Sequence, residues 1–211
     1  MQPTVFPAVA LACSLMFGAA GVAHAERADR LQKINIAADQ SGQIDLQKQT
    51  VVYSGNVVIS RGTMQIRAAK VEVRQLPSGY YTAVAFGAPG AAATFRQKRD
   101  GVDEYIEGEA ERLEYDGKTD TIRFVTNAAV RRLRGSTVAD EIAGNVVSYD
   151  SIAEVFNVIG GAAATPTNPG GRVRAVLTPR EGTAAAAEAA AAAASQPAPP
   201  LKLSPSLGSG K

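Results

Sequence analysis

Cysteine and histidine occur once each, as Cys13 and His24, and both lie in the apolar beginning of the chain. Val5 to Val22 carries no charge and leads into Ala23-His24-Ala25, then the polar Glu26-Arg27-Ala28-Asp29-Arg30. Small residues just before a switch to charge predict a signal peptide over residues 1–25, cleaved after Ala25. No Lys or Arg precedes the apolar run, and its length leaves a retained membrane anchor as the alternative. A faint lipoprotein-like site, Ala10-Leu11-Ala12-Cys13, is followed by more of the same run rather than by its end. Once residues 1–25 are removed, no Cys or His remains. That excludes disulfides, thiolate and imidazole metal ligands, a His-based triad and a His general base. An exported chain of this kind is held together by strand pairing and packing alone.

An excess of one charge is also lacking, since the net charge is +2. The distribution is uneven: acids cluster from Asp100 to Asp120, and Arg123, Arg131, Arg132 and Arg134 answer them. Basic residues are scattered and do not interleave with aromatics, so no nucleic-acid surface is expected. The acidic stretch reads as solvated strand faces with cross-strand charge pairing. Glu107 with Glu109, or Glu111 with Glu114, could supply two carboxylates for glycoside hydrolysis. That chemistry needs a shared cleft and separated pKa values, and the spacing supplies neither, so no enzyme, cofactor or metal is expected.

What the chain does contain is period-two alternation. In Thr50-Val-Val-Tyr-Ser-Gly-Asn-Val-Val-Ile-Ser-Arg61, the residues Val51, Tyr53, Gly55, Val57 and Ile59 fall on one side. The layout returns from Thr121 to Arg131, with Ile122, Phe124, Ala128 and Val130 on one side. Because the parity survives Gly55-Asn56, that pair is expected to bend a continuing strand rather than turn a hairpin. A second unit recurs without gaps at Ile66–Val73, Gly108–Tyr115 and Ile142–Tyr149. Each copy has a small residue (Ala68, Ala110, Gly144) suited to a bend, then two large apolar residues spaced by two. Asp116-Gly117 and Asp150-Ser151 then favour tight reversals, and Ile44 to Gln49 is a looser version.

These landmarks recur roughly every 33 to 38 residues, which predicts about four rungs of two to four short strands. The fold class expected is all-β: repeated antiparallel strands forming a twisted, open β-jelly roll, a sheet folded over on itself. The domain spans 26–181 and ends in a strand near Gly171–Leu177. Residues 182–211 are expected to be a flexible Ala/Pro-rich tail, with transient helix over the alanines. Edge strands at Lys33–Ala38 and Arg172–Leu177 lack an obvious cap, a hint of end-to-end assembly.

Ile34-Asn35-Ile36-Ala37-Ala38-Asp39-Gln40, Tyr53-Ser54-Gly55-Asn56-Val57, Gly62 to Val71, Gly90 to Phe95, Ile106 to Ala110 and Arg172 to Pro179 together resemble the OstA-like family, over about residues 30–181. An Ala stands at one position of the Gly90–Phe95 motif where the family has Pro. The resemblance implies a periplasmic protein of lipopolysaccharide export whose interior holds lipid A acyl chains. It further implies end-to-end self-association and two partners: an inner-membrane anchored LptC-like protein and an outer-membrane LptD-like translocon. The lipid-facing set expected is Ile34, Ile36, Val51, Tyr53, Val57, Ile59, Ile66, Phe95, Leu113, Tyr115, Ile122, Phe124, Val147 and Tyr149. Arg61, Arg67 and Lys70 are the basic residues expected to meet phosphorylated sugars outside. Two alternatives stay open: a polymer-forming structural protein without lipid cargo, and an anchored LptC-like form that keeps its first helix.

Overall fold

The computed structural model describes Asp29, residues 32–161 and residues 171–195. The predicted signal peptide, 1–25, lies outside the described residues. The strands are β1 (Asn35–Ala37), β2 (Ser41–Asp45), β3 (Thr50–Arg61), β4 (Met64–Gln75), β5 (Tyr81–Phe86), β6 (Ala93–Lys98), β7 (Glu104–Ala110), β8 (Arg112–Asp116), β9 (Thr121–Arg134), β10 (Thr137–Asp150), β11 (Val155–Ile159) and β12 (Arg174–Leu177). They form one 12-stranded sheet. The helix α1 covers Ala184–Ala194, capped by Thr183, whose hydroxyl accepts from the Ala186 amide, and none of its residues is buried.

A crease folds this sheet into two leaves. In the first, β2, β3, β4, β5, β8, β9, β10 and β11 pair in that order. In the second, the order is β1, β3, β4, β6, β7, β9, β10 and β12. The strands β3, β4, β9 and β10 run through both leaves, and the crease crosses them at bulges. On β3, Gly55 and Asn56 oppose Ala69 alone, and on β9, Thr126 and Asn127 oppose Asn145 alone. Both pairs adopt left-handed backbone, with φ of 82° and 44° at Gly55-Asn56 and of 66° and 55° at Thr126-Asn127. Between the long strands, the Gly87 amide donates to the Glu111 carbonyl and the Glu111 amide to that of Thr126, which carries the crease through the break separating β7 from β8.

The crease explains the spacing of inward residues. Where the bulge adds a residue, inward positions step by four, from the half-buried Tyr53 to Val57 and from Phe124 to Ala128. Opposite it they step by three, from Ala68 to Val71 and from Ala110 to Leu113. Either step keeps the apolar face inside after the fold. Gly55-Asn56 is therefore a bend in a continuous strand: Tyr53 pairs with Gly42 and Val71, not with the Val58 segment.

Two expectations are corrected. The repeat is not a stack of rungs of short strands, because β3 and β4 are 12 residues long and β9 and β10 are 14, each crossing the crease without a loop. The last strand is shorter than Gly171–Leu177 and begins at Arg174. Asp45, Asp116 and Asp150 do end their strands alike, each carboxylate accepting amide hydrogens two and three residues on.

The core fills the space between the leaves. Phe95 of β6 meets Phe124 of β9 edge-on, with centroids 5.8 Å apart. Gly108 is required there: a Cβ on it would lie 2.3 Å from the Phe124 ring.

Candidate binding groove

The fourteen residues expected to face lipid all point between the leaves and belong to one apolar cluster, but in two environments. Val57, Ile59, Ile66, Phe95, Leu113, Tyr115, Ile122, Phe124, Val147 and Tyr149 are buried, none above 6 % exposure, so the centre is sealed. Ile34, Ile36, Val51 and Tyr53 are half-buried at the end of the sandwich built by β1 and β3.

At that end the leaves part around a chamber of about 740 Å³. One wall is Gln32, Lys33, Ile34 and Ile36 on and before β1. The other is Val51 and Val73 from β3 and β4, with Ser78, Gly79 and Tyr80 from the β4–β5 turn and Tyr81 at the start of β5. Arg61, the last residue of β3, closes the chamber on its inner side. Tyr53 is absent from this lining and covers Gly42 instead. The sequence reasoning missed Val73, Tyr80 and Tyr81 as part of the site. Val73 carried a signal as the second large residue of its repeat unit, whereas the tyrosines reach the chamber only because the β4–β5 turn and the start of β5 border it.

Two sets of polar contacts bridge the mouth between the leaves beyond the chamber. The Arg61 Nη1 donates to the Tyr115 hydroxyl at 3.0 Å, which donates to Asp120 Oδ1 at 2.6 Å, and the Ser151 hydroxyl donates to the same carboxylate. Burial, and then the neighbouring Asp120 carboxylate, push the Tyr115 hydroxyl well above the usual phenol range, which keeps it a neutral donor. The second bridge joins Arg99, just past β6, to Glu154 in the β10–β11 turn at 2.6 Å. Arg99 also pairs with Glu104, which takes Arg132 at 2.9 Å and Arg134 at 3.0 Å. Burial alone would raise the Glu104 carboxyl, but the hydrogen bonds from Arg132, Arg134 and Arg99 outweigh it and hold the group below the usual carboxylate range.

Arg61 corrects an expectation. It does not wait outside for sugars: it is 5 % exposed, and its Nε donates to the Gln32 carbonyl. It sits at the end of β3, where its Nη1 meets the Tyr115 hydroxyl of β8. Arg67 and Lys70 are exposed, bonded to Gln65 and Glu72. The carboxylates considered for hydrolysis are engaged on outward faces: Glu107 with Arg96, Glu109 with Arg131, Glu111 with Asn127, and Glu114 with Arg112 and Arg123. Glu107–Arg96, Glu109–Arg131 and Glu114–Arg123 are the cross-strand charge pairing read from the acidic stretch. Among the described residues, no helix is long and apolar enough to cross a membrane.

Residues 35–155 match the family described as LptA/(LptD N-terminal domain) LPS transport protein. The lipopolysaccharide export system protein LptA of Haemophilus influenzae is 30 % identical over 166 residues, covering 77 % of this chain and 87 % of that protein. LptA of Escherichia coli is 33 % identical over 132 residues, covering 63 % of this chain and 69 % of that protein. The crystal structure of LptH, the LptA-homologous periplasmic component of the lipopolysaccharide transport device of Pseudomonas aeruginosa, superposes with a TM-score of 0.61 at 22 % identity, over 72 % of this chain and 99 % of that one. A creased antiparallel sheet with an apolar interior, matched over most of its length by these proteins, leads to one assignment: the chain belongs to the LptA/LptD N-terminal domain family of lipopolysaccharide transport proteins and has its β-jelly-roll fold.

Proposed function

We propose that this protein works in the periplasm, where it binds lipopolysaccharide through the acyl chains of lipid A and passes it from the inner to the outer membrane. The observation that carries the reading is the chamber beside β1, a space open to solvent whose apolar walls, Ile34, Ile36 and Val51, pack against the apolar centre of the sandwich. Each methylene moved out of water contributes about 0.8 kcal/mol, so ten buried carbons give a gross gain on the order of 8 kcal/mol without a polar ligand. Chains enter first over Ile34, Ile36 and Val51, and reach the sealed set from Val57 to Tyr149 only if the leaves part.

The same reading assigns the sheet ends to assembly. Exposed apolar residues sit beside both: Ile44 and Leu46 at β2, and Val155, Ile159, Val176 and Leu177 on β11 and β12. Unpaired edges of this kind suit head-to-tail contact with further copies, with an anchored LptC-like protein at one end and an LptD-like translocon at the other. Photo-crosslinking in cells tests the proposal. A crosslinking residue at Ile36 or Val51 captures lipopolysaccharide, and one at Val52 or Asn127 does not; equal capture at all four positions overturns the facing assignment. Lipid-free protein on extraction of the purified chain, with no capture at Ile36, favours a structural polymer instead.

A further inference from the structure

The chamber wall contains a charge that the apolar reading does not use. Arg61 is 5 % exposed, yet no carboxylate among the described residues forms an ion pair with it. Asp120 is reached only through the Tyr115 hydroxyl. Asp29, beside the β3–β4 turn, is occupied by the Thr63 amide and hydroxyl and by Gln97. A guanidinium has five N–H donors, and here Nε and Nη1 are taken by one carbonyl and one phenol, while Nη2 makes no hydrogen bond among the described residues. A cation withdrawn from water with no carboxylate in direct contact is unfavourable, and the space it borders is the chamber, which Lys33 also lines.

We propose that Arg61 is an anion-recognition residue, so that the chamber takes an acyl amphiphile by both ends. Its chain lies against Ile36, Val51 and Val73, and its phosphate or carboxylate head is received by the guanidinium, with Lys33 at the rim. The inference rests on the chamber being an acyl-chain site. A planar donor fork is suited to either oxyanion, and within a low-dielectric wall the contact discriminates strongly against a neutral head. Arg61 then supplies specificity where the apolar walls supply only affinity.

Three probes of equal chain length separate these contributions: laurate, dodecyl phosphate and dodecanol, titrated against the purified protein by displacement of a fluorescent lipid. The unsubstituted protein is expected to prefer both anions over dodecanol by about tenfold, equivalent to about 1.4 kcal/mol. Arg61→Gln removes that preference, read as the ratio of anion affinity to dodecanol affinity in the same variant, while Arg61→Lys keeps part of it. If Arg61→Gln does not fold, the preference of the unsubstituted protein and its partial retention in Arg61→Lys decide the matter. Equal affinity for all three probes overturns the role of Arg61 but leaves the acyl site standing. Binding of none removes the acyl site and the inference with it. Displacement of dodecyl phosphate by inorganic phosphate alone identifies a site for the free ion and overturns the amphiphile assignment.

Discussion

The chamber beside β1 and the centre of the sandwich are made from the same alternating strands, and even from the same strand. Val51 lines open space, whereas Val57 and Ile59, a few residues along β3, are sealed. The difference lies in what stands opposite. At the centre the other leaf is complete, and Phe95 and Phe124 fill the gap down to the missing Cβ of Gly108. At the end, β1 is three residues long and the β4–β5 turn borders open space. Whether an apolar strand meets open space or sealed core is therefore set by the sheet edge opposite it, not by how apolar the strand is.

The comparison is broken most sharply at Phe124. Phe124→Ala is expected to lower unfolding stability by about 3 to 5 kcal/mol, read from the urea midpoint, because the opposing leaf cannot collapse onto the vacated space. Lipid binding per folded molecule should hold, since the chamber is lined by other residues. A near-neutral result would mean that the centre is loosely filled and the sealed-versus-open distinction is wrong.

Next in size is the Glu104 cluster near the mouth. Glu104→Gln removes the charge that Arg99, Arg132 and Arg134 share, for an expected loss of about 2 kcal/mol. The pH dependence has a definite sign. The folded-state pKa of Glu104 lies below its ordinary value of 4.5. Its contribution is then fully present above about pH 4.5 and is lost as the pH falls through the lowered folded value. Urea midpoints measured downward from neutral pH should fall less steeply for Glu104→Gln than for the unsubstituted chain. Parallel profiles would place the acid sensitivity elsewhere.

Ile36→Ala tests the chamber side of the comparison. Ile36 is half-buried, so about 1 kcal/mol of stability is expected to go, less than for a core position. Dodecanol affinity should fall by a comparable amount, about fivefold. Loss of stability with unchanged binding would make Ile36 ordinary core.

Much of this arrangement was legible in the sequence, for a physical reason. Period-two alternation fixes which side chains share a face, so the fourteen residues named from it fall in one apolar cluster, and the parity kept across Gly55-Asn56 identified a bend. Long-range geometry was not legible. Nothing local distinguishes Val51, which meets a chamber, from Val57, which meets Phe-filled core, because that depends on the opposite leaf. The placement of Arg61 was missed for the same reason. An arginine at a strand end reads as solvent-facing, and only the fold of the second leaf over the first brings it against Tyr115. The short-strand repeat was misread because a bulge leaves the same small-residue mark as a turn.

The smallest effect on stability is expected at the sheet edge, where it separates folding from assembly. Leu177 ends β12 at 73 % exposure and, among the described residues, pairs with Asp140 of β10 alone, so it contributes little to the fold. Leu177→Lys should change unfolding stability by less than about 0.5 kcal/mol. A lysine there places charge on an edge that head-to-tail contact has to desolvate, and charged edges are how sheet proteins avoid such contact. Sedimentation velocity over a concentration series should thus show weaker self-association in Leu177→Lys than in the unsubstituted protein, with the monomer's urea midpoint unmoved. If association is unchanged, copies do not meet through β12, and the exposed Ile44 and Leu46 beside β2 lose the partner surface that the head-to-tail reading gives them.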